Sequence, residues 1–156
     1  MRSQLLLLAL AAGCPRRSST GPVRDPAFEC NDRRMEYTAE GTIMYAKQGV
    51  RLFCDGNVPT AEKFFIDKDG NEQKKSAEIS AGTFDDAWKE FQAAGWRMLE
   101  ENCDNPSAAK KDPTQTFEVT DGDLKRHFKC KGTELPFPYD RLRNALDLSA
   151  AEIPTD

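Results

Sequence analysis

Three groups of side chains in this sequence have types and spacings that chemistry can use. The first is Asp67-Lys68-Asp69-Gly70-Asn71-Glu72, with Glu78 beyond it. Asp67, Asp69, Asn71 and Glu78 fall at the first, third, fifth and last places of an EF-hand loop, whose hard oxygen donors suit calcium. Two positions depart from that pattern: Glu72 stands where the loop needs glycine, and Lys74 where an apolar residue is usual. Without metal, the same stretch is an Asp-Gly hairpin with a solvated acidic tip. Calcium is the one cofactor this pattern admits, and a calcium-dependent binding module is an alternative function.

The second group is Lys125, His127, Lys129 and Lys131, which alternate and so share one face of a strand. They form either an anion-binding face or an ordinary solvated one, partly balanced by Glu118. His127 is the only histidine, so a histidine-rich metal site is excluded and a hydrolase would rest on this single base. With no nucleophile–base pair or cofactor loop to assemble, a non-catalytic role ranks above an enzyme.

The third group is the cysteines, five in all. Cys30, Cys54, Cys103 and Cys130 form an even set with no C-x-x-C spacing, which favours disulfides over zinc or dithiol redox chemistry. Three connectivities are open. Cys30–Cys54 with Cys103–Cys130 is the one that ties an irregular segment to a strand each time.

The fifth, Cys14, follows a different kind of sequence. Arg2 precedes the apolar run Leu5 to Ala12, far shorter than the roughly 20 residues of a membrane-spanning helix. Ala11-Ala12-Gly13-Cys14 resembles the lipobox of bacterial lipoproteins, although that family prefers Leu where Ala11 stands. The resemblance implies cleavage before Cys14, acylation of that residue, and anchoring in the cell envelope. Pro15-Arg16 behind it, in place of an inner-membrane-retaining Asp, leans by the same resemblance towards the outer membrane, facing the periplasm or the surface. The alternative is an ordinary secretory cut after Ala11, giving a soluble secreted or periplasmic protein with one unpaired thiol.

These readings divide the chain into a signal peptide over 1–13, a tether over 14–26, one domain over 27–150 and a frayed tail over 151–156. The tether is rich in Pro, Ser and Arg and cannot bury enough surface to order itself. Of 156 residues, 22 are Lys or Arg and 26 Asp or Glu, a net charge of -4. Such a balance excludes the basic excess of nucleic-acid binders and the polybasic helix of electrostatic membrane binders. Lipid is then the membrane contact, and the partner expected is an unidentified protein.

The elements that must position these groups follow from periodicity and turn residues. Met35 to Tyr45 reads as strand or loop, and Val50 to Cys54 as a strand ended by Asp55-Gly56-Asn57. Lys63 to Asp67 and Glu72 to Ile79 flank Asp69-Gly70 as a hairpin, and Thr116 to Val119 and Leu124 to Lys131 flank Asp121-Gly122 as another. In the second, Val119 is expected opposite Leu124 and Glu118 opposite Lys125. A helix is expected from Phe84 to Ala94, capped by Thr83 with Asp86 and stopped by Gly95. A shorter one runs from Tyr139 to Leu148, with Leu142, Ala145 and Leu146 inward. The fold class is α+β, a mainly antiparallel sheet of about four strands with two helices packed on one face.

Over Val50 to Leu148, the order of hairpin, helix bearing Trp88 and Phe91, second hairpin and Pro-led helix distantly resembles small bacterial domains of the emfourin type. That resemblance implies a metallopeptidase partner and an inhibitory role. The family's glycine-rich entry is not matched, since only isolated Gly49 and Gly56 stand there, and no inhibitory residue carries over.

Overall fold

The computed structural model describes residues 21, 22, 24–151 and 153; the expected signal peptide and Cys14 lie outside them. The chain is α+β. Six strands, β1 (Arg34–Glu40), β2 (Lys47–Asp55), β3 (Val58–Ile66), β4 (Glu72–Glu78), β5 (Thr114–Asp121) and β6 (Leu124–Lys131), form one antiparallel sheet in the order β4-β3-β2-β1-β5-β6. Two helices, α1 (Ala81–Ala93) and α2 (Tyr139–Ser149), cover one face, and a single 3₁₀ turn over Trp96–Met98 follows α1.

The sheet has six strands where about four were expected. Arg34–Glu40 is a strand despite its charges, because its alternate residues Met35, Tyr37 and Ala39 enter the core while Glu36 faces the other way. Asp55-Gly56-Asn57 is a hairpin turn rather than a terminus. Asp55 pairs with Val58 across Gly56 and Asn57, and Gly56 adopts φ +63°. Glycine in the first place of a two-residue loop matches the turn twist to the strands. The following strand runs over Val58–Ile66 and so includes Pro59, a residue that argues against strand in sequence.

The Asp69-Gly70 hairpin has a five-residue loop, since Ile66 pairs with Glu72. The Asp121-Gly122 hairpin keeps the expected facing of its side chains but shifts its register. Its loop is Gly122-Asp123, so Asp121 pairs with Leu124 and Glu118 with His127. Phe117, Val119, Phe128 and Cys130 are buried as expected, whereas Leu124 at the strand end is 41% exposed.

Helix α1 begins three residues earlier than expected. Ser80, not Thr83, is the cap: its Oγ accepts the Thr83 amide at 3.0 Å. Phe84, Ala87, Trp88 and Phe91 line the buried stripe, and Gly95 ends the run at φ +70°. In α2 the buried set is Tyr139, Leu142, Ala145, Leu146 and Ser149. The core continues past the expected boundary at residue 150, for Ile153 is 2% exposed and its amide bonds to the Ala150 carbonyl.

The cysteines pair as Cys30–Cys54 and Cys103–Cys130, with Cα separations of 6.2 and 4.5 Å. Both pairs tie a loop to a strand. The first is reinforced by Asn57, whose Nδ2 donates to the Phe28 carbonyl at 2.8 Å. The second covers the free edge of β6: Lys129 N donates to Glu101 O, Cys103 N to Lys129 O and Asn105 N to Lys131 O. An uncovered edge would offer these groups to other chains. Disulfides of this kind form and persist in oxidising, extracytoplasmic compartments.

Among the described residues no helix covers the second face of the sheet, yet Phe64 on that face is only 2% exposed. It pairs with Gly49 on β2, and a Cβ at Gly49 would come within 2.4 Å of both the Phe64 ring and the Tyr37 carbonyl. The glycine is therefore required by contact, not by φ. Gly49→Ala is expected to lower stability by about 3 kcal/mol, the upper part of the overpacking range, because a backbone atom cannot rotate away; urea unfolding of the oxidised protein measures this.

Candidate functional site

The open face of the sheet carries one of the three groups that the sequence singles out, Lys125, His127, Lys129 and Lys131, together with Glu118. Strand register places His127, Glu118, Glu36, Arg51, Glu62 and Ser76 in one transverse row across all six strands. Two glutamates, Glu36 and Glu118, are direct neighbours in this row, and like charges so placed repel. Cations flank each of them. Arg34 Nη2 lies 2.7 Å from Glu36, Arg51 Nε 3.5 Å from Glu36, and Lys125 Nζ 3.0 Å from Glu118.

At the other end of the row Glu62 is 7% exposed. Arg51 Nη1 stands 3.1 Å from its Oε1, and Ser76 Oγ donates to its Oε2 at 3.0 Å. The Arg51 guanidinium also lies 4.4 Å from the centroid of the Phe64 ring, so one side chain neutralises Glu62 and roofs the buried aromatic.

Lys125, His127 and Lys129 are exposed on this face, as alternation requires, and Lys131 is half-buried. The expected ion pair of Glu118 with Lys125 forms, but diagonally, because His127 takes the place directly opposite Glu118. The Lys125 ammonium, with smaller contributions from His127 and Arg34, holds the Glu118 carboxyl below its usual range. Lys131 is drawn away, its Nζ donating to the Lys110 carbonyl at 3.0 Å. Arg126, on the opposite face of β6, donates to the carbonyls of Arg97 and Leu99 at 2.6 and 2.7 Å and so ties β6 to the 3₁₀ turn.

The calcium expectation is corrected by the same register. Glu78 pairs with Thr60 at the far end of β4 from the Asp67–Asn71 loop, six residues or about 20 Å along the strand from Glu72. Its two oxygens accept Arg24 Nε and Nη2 at 2.8 and 2.9 Å. Asp67 serves the loop instead: its Oδ1 accepts the amides of Asp69 and Asn71, and its Oδ2 the Asn71 side chain at 2.8 Å. Those bonds, that of the Asn71 side chain foremost, lower the Asp67 pKa. Asp67, Asp69, Asn71 and Glu78 thus do not converge on one cage, and no cluster of three or more metal-ligating side chains occurs among the described residues.

Sequence reasoning missed two positioning residues. Gln115 is 1% exposed, accepts the Tyr37 hydroxyl at 2.6 Å and donates to the Gly132 carbonyl at 2.6 Å. Its alternation with Phe117 and Val119 was the available signal. Glu62 carries no sequence signal of burial; its burial depends on Arg51 lying beside it.

Compared with known proteins, the chain matches no family model and no curated sequence. No helix among the described residues is long and apolar enough to cross a membrane.

Two measurements test the row. Arg51→Met is expected to cost about 3 kcal/mol, since it leaves a buried carboxylate unpaired, whereas Arg51→Met/Glu62→Met returns to within about 1 kcal/mol of wild type. Glu118, whose folded pKa is lowered, stabilises the fold above its unfolded pKa and loses that contribution as pH falls through the lowered value. Melting temperature is therefore expected to drop on acidification through the carboxylate range, and less steeply in Lys125→Met.

Proposed function

We propose that the chain is a bacterial envelope lipoprotein, cleaved before Cys14, acylated there, and displaying a non-catalytic binding domain on a short tether. The observation that carries this reading is cysteine parity. Cys30, Cys54, Cys103 and Cys130 consume one another in two disulfides, and the fifth cysteine stands directly behind Ala11-Ala12-Gly13. An exported chain of this kind keeps an odd thiol for a reason, and acylation supplies one.

The environment of His127 supports binding over turnover. It is exposed on an open sheet face, flanked by Lys125 and Lys129 and facing Glu118. All four described cysteines are disulfide-bonded, so none offers a thiol nucleophile. Arg24, paired with Glu78, marks where the tether meets the domain, at the end of the sheet that also carries the Gly56-Asn57 and Gly122-Asp123 turns. Ten residues from Cys14 to Val23 span at most about 35 Å, which turns this end towards the membrane. The opposite end, with the 41–46 and 67–71 loops, then faces outward. Ile43 and Met44 stand 92% and 73% exposed there, a contact point suited to a protein partner.

Labelling cells with palmitate tests the anchor. The wild-type protein is expected to take up label and sediment with membranes, and Cys14→Ser to do neither; label retained by Cys14→Ser refutes the proposal.

A further inference from the structure

A cleft on the helix-covered side of the sheet differs from the other concavities in the state of its charges. Four larger clefts, of about 450, 440, 360 and 340 Å³, have their cations paired with carboxylates. Lys89 pairs with Asp86 at 3.0 Å in the first, Arg24 with Glu78 at 2.8 Å in the second, Arg33 with Asp121 and Arg34 with Glu36 in the third, and Arg143 with Asp147 in the fourth. A smaller cleft, of about 180 Å³, lies between α2 and the sheet. Its floor consists of two adjacent transverse rows, Tyr37–Val50–Lys63 and the Gln48–Phe65 pair. Arg143 and Asp147 of α2 form the opposite wall.

Lys63 is half-buried in this cleft and makes no hydrogen bond or ion pair with any described residue. It also sits directly opposite Lys75, which has a partner of its own. Like charges across a strand pair oppose folding, so Lys63 is costly where it stands. Arg143 is compensated by Asp147 at 3.3 Å and lies 5.4 Å from the Tyr37 ring centroid. The cleft therefore offers one ammonium that no described residue compensates, one amide at Gln48, and the apolar surfaces of Val50, Tyr37 and Phe65. A cavity of about 150 Å³ holds a single benzene ring, so this one accommodates one ring or branched side chain and no more. Phe65 is in turn packed on Tyr45 at 4.9 Å, next to exposed Ile43 and Met44.

We infer that this cleft binds a carboxylate carried on a single aromatic or branched apolar group, with Lys63 as the counter-ion, Gln48 as the hydrogen-bonding partner, and Val50 and Phe65 against the apolar part. Two sources supply that chemistry: a free amino-acid-sized acid, or the C-terminal residue of a peptide whose preceding residues would run over Ile43 and Met44. The inference names a ligand for the binding-module reading and rests on it only in requiring no turnover. It holds whether or not Cys14 carries lipid, so the palmitate result and this one fail separately.

The test is titration of the oxidised, isotope-labelled protein with N-acetyl-phenylalanine, N-acetyl-phenylalaninamide and a pentapeptide ending in phenylalanine, followed by amide NMR. The free acid is expected to shift Gln48, Val50, Lys63 and Phe65 saturably in the millimolar range, and the neutral amide to bind at least tenfold more weakly. A peptide that binds tighter than the acid and also shifts Ile43 and Met44 assigns the cleft to chain termini; equal affinity assigns it to free acids. Lys63→Met keeps the apolar stem and relieves the opposition to Lys75, so it is expected to melt no lower than wild type while losing about tenfold in affinity for the acid. The inference is overturned by the absence of saturable shifts at these residues, by equal binding of acid and amide, or by unchanged affinity in a folded Lys63→Met.

Discussion

Among the described residues helices cover one face of the sheet only, and the integrity of the other face depends on the contact of Phe64 with Gly49. A large aromatic on an uncovered face is ordinarily exposed. Here the missing side chain at Gly49 lets the ring lie against β2, and Arg51 closes over it. Once Arg51 is held there, it stands between Glu36 and Glu62 and offsets both carboxylates. A glycine, an aromatic and an arginine on neighbouring strands thus convert a solvent-facing surface into a sealed, polar one. Apolar contact and ion pairing are coupled through a single side chain, which is why buried Glu62 is tolerated.

The two disulfides act where the hydrogen-bonded sheet stops. Cys30–Cys54 fastens the entering chain to the β2–β3 turn, alongside the Asn57 bond to Phe28. Cys103–Cys130 fastens the segment that masks the β6 edge. In a domain of this size each bridge contributes about 2–4 kcal/mol in the chain-entropy account, comparable to several core side chains. Their placement at opposite sheet regions makes the fold suited to an oxidising environment outside the cytoplasm. The two bridges also account for every described cysteine.

The two faces divide the labour. The open face is rich in charge but largely self-neutralised, with Lys125 and Lys129 as its exposed positive margin on either side of His127. The helix side holds the packed core and, between α2 and the sheet, the cleft in which Lys63 pairs with no described residue. The exposed tip at Ile43 and Met44 lies beside that cleft and away from the tether junction.

Much of this was legible in the residues alone. Helical spacing at Phe84, Ala87, Trp88 and Phe91, alternation at Phe117, Val119 and Phe128, and the Asp-Gly turns determined the α+β class and most of the core, because side-chain period reflects which face meets water. The favoured disulfide pairing followed from the same element boundaries. Strand count, hairpin register and helix start depended on more. Arg34–Glu40 is a strand because β2 and β5 flank it, and Pro59 is accommodated because of where it falls in β3. Ser80 caps α1 through a bond that spacing does not distinguish from one at Thr83. The separation of Glu78 from Asp67, and the meeting of Arg51 with Glu62 and of Lys63 with the α2 wall, were decided by tertiary structure alone. Local pattern reports how each residue faces solvent, but which charges become neighbours depends on strand order and register, and those are set by the packing of the whole sheet.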